Sequence, residues 1–149
     1  MSETGTPRET SPIPEHPRLI PLPQLKDARG NLTFVEAGKQ VPFSFDRVYF
    51  LYDVPGGATR GGHAHRRLRQ LIVPVAGSFD VCVDNGTSLE LFQLNRAFVG
   101  LYLPPMHWRT LENFASGSVC LVIASDPFDE SDYIRDHAAF LAADRIGRP

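Results

Sequence analysis

The chain is 149 residues long, 42% of them hydrophobic, with a formal net charge of −2. That length suits one domain able to bury a core without disulfides or a structural metal. Charges of both signs are interspersed, so no Lys/Arg surplus points to nucleic acid, and no run of about 18 apolar residues points to a membrane span.

Residues 1–18 read as a disordered leader, polar and proline-rich, without the apolar stretch of a signal peptide. Residues 19–146 read as the folded domain, and its pattern is short β-type runs separated by turn residues, the mark of a sandwich or barrel. Leu19–Leu22 and Asn31–Ala37 are expected strands, with Asp27-Ala-Arg-Gly30 as the turn between them. Arg47–Tyr52 follows, closed by Pro55-Gly-Gly57. Leu71–Val75 and Ser78–Val83 are expected to pair across Ala76-Gly77. Asp84-Asn-Gly86 is a tight-turn signal, because Asn-Gly supplies positive φ angles. Leu89–Leu94, Ala97–Leu103 and Ser118–Ala124 bring the total to roughly eight or nine strands. Asp126-Pro127 breaks the last of these, and Asp129–Ile146 reads as a surface helix: Ile134, Ala138 and Leu141 recur at helical spacing, acids lie near its start, and Gly147 stops it. Cys82 and Cys120 sit inside apolar runs and are expected to be buried free thiols, in keeping with a reducing, cytoplasmic setting.

The chemistry centres on Arg60-Gly-Gly-His-Ala-His65. His63 and His65 are two apart, so on a strand both imidazoles project from one face. Imidazole is the side chain best suited to exchange protons near neutral pH. Arg60, Arg109 and Arg29 are candidate phosphate contacts, since arginine bonds phosphate oxygens in pairs. Tyr49, Tyr52 and Tyr102 lie in strands, where each is either a barrel-wall aromatic or a phenol near a reacting oxygen. Arg66-Arg67-Leu-Arg69 reads as a solvated strand edge.

The run Gly62-His63-Ala64-His65, then Gln70, then Gly77, resembles the first motif of the cupins, and implies an all-β, double-stranded β-helix (jelly-roll) barrel with a short C-terminal α-helix. Gln70 stands where a metal-binding cupin has Glu, and Arg109 stands near the place of the third metal histidine. A neutral amide and a guanidinium are poor ligands. No metal and no cofactor is therefore expected, the alternative being a His63/His65/His107 site, with His107 on the same strand face as Arg109.

Arg47-Val-Tyr49-Phe50-Leu-Tyr52-Asp53, the Arg60–His65 block, Gly100-Leu-Tyr-Leu-Pro104-Pro105 and Asp129-Glu-Ser-Asp-Tyr-Ile-Arg135 are similar to the nucleoside-diphosphate-sugar 3,4-ketoisomerases, from about Leu19 to Phe140. The resemblance implies a metal-free enzyme that moves the carbonyl of a dTDP-linked 4-keto-6-deoxy sugar to C3. It implies His63 as the base at C3 and His65 as a proton shuttle between the C3 and C4 oxygens. Arg60 and Tyr49 would position the sugar or its phosphates; Arg29, Tyr102, His107 and Arg109 are the further candidate substrate contacts, on residue type rather than on the resemblance. It also implies a homodimer with exchanged N-terminal strands, with neither nucleic acid nor membrane as partner. Two departures stand out: His107-Trp108-Arg109 where the family more often shows Trp-His, and Phe50 where a second tyrosine is common. The alternatives are a dTDP-4-ketosugar epimerase-like cupin and a non-catalytic sugar-nucleotide-binding cupin.

Overall fold

The structure, a computed structural model, describes residues 13–143. In chain order the strands are β1 (Arg18–Pro21), β2 (Gln24–Asp27), β3 (Gly30–Thr33), β4 (Arg47–Leu51), β5 (Arg60–His65), β6 (Gln70–Ala76), β7 (Phe79–Asp84), β8 (Leu89–Leu94), β9 (Val99–Leu103), β10 (Trp108–Glu112), β11 (Val119–Ala124) and β12 (Tyr133–Ile134), followed by helix α1 (His137–Ala142). Two antiparallel five-stranded sheets, ordered β1-β9-β6-β11-β4 and β12-β5-β10-β7-β8, pack face to face as a cupin-type jelly roll. Among the described residues no helix is long and apolar enough to cross a membrane.

Alternation sorts the side chains. On β7, Phe79, Val81 and Val83 turn inward while Asp80, Cys82 and Asp84 turn outward. The inward set meets Ile72, Leu101, Leu103, Cys120 and Val122 from the opposite sheet, and this closes one end of the barrel with hydrocarbon. Strand β6 is buried on both faces: Ile72 belongs to that inner core, while Leu71 and Val73 pack outward under Val41 and Phe43. Pro74 is tolerated in this strand because the β6–β9 pairing has ended at Ile72 and the β6–β11 register slips between Val119 and Cys120.

Several sequence expectations need correction. Strands β6 and β7 do not pair; β6 lies in one sheet and β7 in the other, so Ala76-Gly77 carries the chain between layers. Gly77 has φ +70, and a Cβ there would lie 2.3 Å from Ser118 Oγ, so the crossing is held against the Ser118 turn rather than closed as a hairpin. The stretch expected as one strand over Asn31–Ala37 ends at Thr33, where β3 pairs with β2 as a separate two-stranded sheet.

The helix expected over Asp129–Ile146 is instead a 3-10 turn at Glu130–Asp132, strand β12 and the six-residue α1. Asp129 and Asp136 spend their carboxylates as caps, on Ser131 N–H and Ala139 N–H, and short polar side chains of this kind favour caps over helix interiors. Ile134 is buried on β12, Phe140 is the buried residue of α1, and Leu141 is exposed. Gly147 and Ile146 lie outside the described residues, as do the first twelve residues of the leader.

Of the leader's remainder, Pro14 accepts a hydrogen bond from the Tyr102 hydroxyl at 2.8 Å and Glu15 faces Arg69 at 3.4 Å. Both cysteines are free, but only Cys120 is buried; Cys82 is on the outward face of β7 and half-exposed.

Candidate active site

The open end of the barrel holds a cavity of about 320 Å³. Strand β4 sends Arg47 and Tyr49 into it, β5 sends Arg60 and His63, β10 sends Arg109, and Tyr133 and Arg135 close one side. Arg60 and His63 are three apart, a spacing that would put them on opposite faces of a regular strand. A bulge resolves this. On β10, Arg109 pairs with His63 and Leu111 with Arg60, so three steps on β5 oppose two on β10. Gly61 makes the bulge possible, at φ +76 and with Leu111 Cδ1 only 2.9 Å from where a Cβ would stand.

His63 and His65 share a face, as their spacing predicts, with ring centroids 4.7 Å apart at 87°. Their exposure differs. His63 lines the cavity, whereas His65 is 0% exposed and lies behind it. The Tyr133 ring packs on both, 5.1 Å from His63 and 4.3 Å from His65. His65 Nδ1 is 3.3 Å from Asp132 Oδ2. That carboxylate, however, accepts the backbone N–H groups of Arg67 and Leu68 at 2.8 and 3.2 Å. Neither ring nitrogen of His65, nor Nε2 of His63, has a hydrogen-bond partner among the described residues.

Arg109 forms the floor. It is 1% exposed, and its Nη1 donates to Gln70 Oε1 while its Nε donates to the His107 carbonyl at 3.2 Å. Gln70 Nε2 in turn donates to the Tyr49 hydroxyl at 3.0 Å. The amide that breaks the metal-binding pattern therefore joins guanidinium to phenol. Arg109 Nη2 is buried without a partner among the described residues, beside the cavity it lines. An unpaired buried donor of that kind is costly unless something else meets it.

These charges set the protonation of the site. Burial pushes the Arg109 guanidinium down to about 10, still charged at neutral pH. Burial first, then Arg109 and Arg135, push the His63 imidazole down to about 3. Burial first, then Arg109 and His63, push His65 down to about 2. Both rings are neutral at pH 7, the state in which an imidazole accepts a proton. Burial raises the Tyr49 phenol, so it stays protonated.

Three residues expected as substrate contacts lie elsewhere. Tyr102 is buried on the outward face of β9, because Leu101 and Leu103 take the inward positions of the core, and its hydroxyl accepts from Arg69 Nη1 at 2.6 Å. His107 precedes β10, just after Met106 at φ +60, so strand alternation does not place it with Arg109. Its Nδ1 donates to the Pro105 carbonyl at 2.9 Å, and it lines a different pocket with Val83 and Glu90, so the His63/His65/His107 grouping does not form. Arg29 sits at the tip of the β2–β3 hairpin, exposed and paired with Asp27 at 2.7 Å. Among the described residues no cluster of three or more His, Cys, Asp or Glu side chains is arranged to hold a metal ion.

Three cavity residues were missed as site residues: Arg47, Tyr133 and Arg135. The signal for Arg47 was present, since it alternates with Tyr49 on one strand. The helical reading of the tail hid Tyr133 and Arg135, whose side chains share one side only because β12 is extended.

A family model described as "FdtA: WxcM-like, C-terminal" matches residues 15–145. The TDP-4-oxo-6-deoxy-α-D-glucose-3,4-oxoisomerase of Aneurinibacillus thermoaerophilus is 40% identical over 123 residues, covering 83% of this chain and 88% of that one. QdtA, a sugar 3,4-ketoisomerase from Thermoanaerobacterium thermosaccharolyticum solved with TDP, superposes with a TM-score of 0.83 at 35% identity, over 85% of this chain and 92% of its own. WlaRB, a TDP-quinovose 3,4-ketoisomerase from Campylobacter jejuni, gives 0.83 at 37% identity, over 87% and 99%. With the matched model spanning nearly the whole described chain, and with relatives of this identity and coverage, the chain belongs to the FdtA (WxcM-like, C-terminal) family.

Proposed function

We propose that this protein is a sugar 3,4-ketoisomerase that converts dTDP-4-keto-6-deoxyglucose to the dTDP-3-keto-6-deoxyhexose, in the assembly of amino sugars. The observation that carries the reading is His63 lining one cavity with the buried, hydrogen-bonded Arg109 guanidinium on its floor, where burial and that guanidinium favour the neutral imidazole. A hydrogen next to a ketone is acidic because the electrons it leaves behind reach the carbonyl oxygen. His63 removes the C3 hydrogen, the negative charge spreads toward O4, and Arg109 Nη2 supplies a preorganised donor for it. Protonation at O4 and at C4, with loss of the O3 proton, completes the migration. Arg60 stands at the exposed rim, where a guanidinium suits the diphosphate. Tyr49, held by Gln70, faces the sugar.

One expectation changes. His65 is sealed from the cavity, so direct exchange with the sugar oxygens would need His63 or Tyr133 to move aside; His65 supports its neighbours from behind.

An epimerase-like reading has one observation in its favour, the approach of Asp132 to His65. Incubation with dTDP-4-keto-6-deoxyglucose, followed by reduction and identification of the hexose, separates the readings. The isomerase gives a sugar with its carbonyl moved to C3. An inverted centre with the carbonyl still at C4 would support the epimerase, and an unchanged sugar would support a binding protein.

The mechanism runs without metal. A buried guanidinium among the imidazoles repels a second cation from the same place. Turnover should therefore survive exhaustive dialysis against EDTA, and a loss restored by one divalent ion would contradict the assignment of Arg109.

We also propose a homodimer formed through the N-terminal arm. Hairpin β2–β3 hydrogen-bonds to neither large sheet, and Leu25 and Leu32 on it are 59% and 54% exposed. A lone two-stranded hairpin is marginal in water, so a partner surface would stabilise it. Arg29, at its tip, contacts a sugar nucleotide only if the arm crosses to that partner. Light scattering at micromolar concentration should give twice the 16.6 kDa chain mass; a monomer would remove the proposal. Free thiols at Cys82 and Cys120 accord with a reducing, cytoplasmic location.

A further inference from the structure

The isomerisation takes four proton transfers: one proton leaves C3, one joins C4, one leaves O3 and one joins O4. A single imidazole serves the two carbons from one side of the sugar ring. The two oxygens need a second group that reaches the cavity and both gives and takes a proton. His65 is sealed at 0% exposure. The Tyr49 hydroxyl is engaged by Gln70 Nε2, and burial raises its phenol. Arg109 and Arg135 are cations throughout and only donate.

We propose that Tyr133 carries the oxygen-bound proton, a proposal that rests on the isomerase reading above. Its side chain lines the cavity beside His63. Its ring is wedged against both imidazoles, at 5.1 and 4.3 Å, which fixes the phenol relative to the base. The β12–β5 ladder, in which Tyr133 pairs with His65, holds the backbone in place. Beneath the ring the Arg135 guanidinium lies 4.1 Å from its centroid. Two hydrogen bonds to Glu130, at 2.6 and 2.9 Å, lock that guanidinium. A fixed cation against an aromatic face is attractive, and the attraction grows while the phenolic oxygen bears charge in flight.

The step balances within the substrate and two side chains. His63 takes the C3 proton; the C3–H electrons form the C3–C4 double bond, and the former carbonyl pair moves to O4. O4 takes the Tyr133 proton, giving the enediol and a phenolate. The phenolate then takes the O3 proton, the O3–H electrons form the new C3 carbonyl, and the double-bond pair takes the proton back from His63 at C4. Both side chains end as they began.

The test is Tyr133→Phe, which keeps the ring against both imidazoles and removes only the hydroxyl. Turnover of dTDP-4-keto-6-deoxyglucose should fall by at least about 10²-fold, the low end for loss of a general acid–base group. The KM for substrate and the washout of the C3 hydrogen into ²H₂O should persist, because His63 still works. Tyr49→Phe, by contrast, should raise KM more than it lowers kcat. Tyr133→Phe turnover above a tenth of wild type, or a loss explained wholly by KM, would overturn the assignment of Tyr133 while leaving the isomerase intact. A wild-type protein that moves no carbonyl overturns both.

Discussion

Replacing His63 by Asn should lower turnover by about 10²–10⁴-fold, the usual contribution of a general base, while leaving the fold and dTDP binding in place. Asn reaches about as far and keeps hydrogen-bonding capacity, but it exchanges no proton near neutral pH. Tyr133, beside His63 in the cavity, serves the sugar oxygens rather than C3, and the other neighbours offer no base. His65 is 0% exposed, Arg109 is a cation, and the Tyr49 phenol is held protonated by burial. Exchange of the C3 hydrogen with solvent deuterium should stop in this variant, which distinguishes it from Tyr133→Phe. Steady-state kinetics and proton NMR in ²H₂O read both effects. A His63→Asn protein that retained more than about a tenth of wild-type turnover would show that carbon-bound hydrogen leaves by another route.

The second large effect is on stability in acid. An unfolded histidine takes a proton near pH 6.5, whereas in the folded chain His63 waits until about 3 and His65 until about 2. Between these limits the unfolded state binds more protons, so stability is greatest above pH 6.5 and falls as the pH drops toward 3. Each imidazole contributes a slope of up to about 1.4 kcal/mol per pH unit in that window. His65, sealed from solvent, carries its full share; His63 faces the cavity and carries less. Moving from pH 7 to pH 5 should therefore remove about 2–3 kcal/mol. Urea unfolding followed by tryptophan fluorescence measures this through Trp108, the chain's single tryptophan. An unfolding midpoint unchanged between those pH values would mean that the two rings are not buried neutral.

What could be read beforehand divides along a physical line. Strand β8 was expected at Leu89–Leu94 and lies there, and the His63/His65 pair faces one way, because both follow from local alternation. Alternation does not say which layer a strand joins, so it predicts a hairpin at the β6–β7 connection where the chain crosses between sheets. The apolar runs give no bounds for β10, although His107 and Arg109 read as sharing a strand face, because Arg109 takes an inward position and breaks the apolar rhythm where function requires it. Tyr102 looked like a site residue by type, but Leu101 and Leu103 take the inward positions and turn it away. The tail carried a helical spacing of Ile134, Ala138 and Leu141, yet Asp129, Asp132 and Asp136 turn their carboxylates to backbone N–H groups and leave Tyr133 extended beside the imidazoles. The cavity was thus legible from its two histidines, while the phenol and guanidinium that complete it depended on contacts distant in sequence.

The central claim is that this cavity moves a carbonyl from C4 to C3 with His63 as the base. Its most direct test is the ¹³C spectrum of dTDP-4-keto-6-deoxyglucose labelled at C3, followed during incubation with the protein. The C3 resonance should move from the carbinol to the carbonyl region with wild type and stay in place with His63→Asn over the same period. A label that remains a carbinol with wild type, or that moves equally well with the variant, would contradict the account.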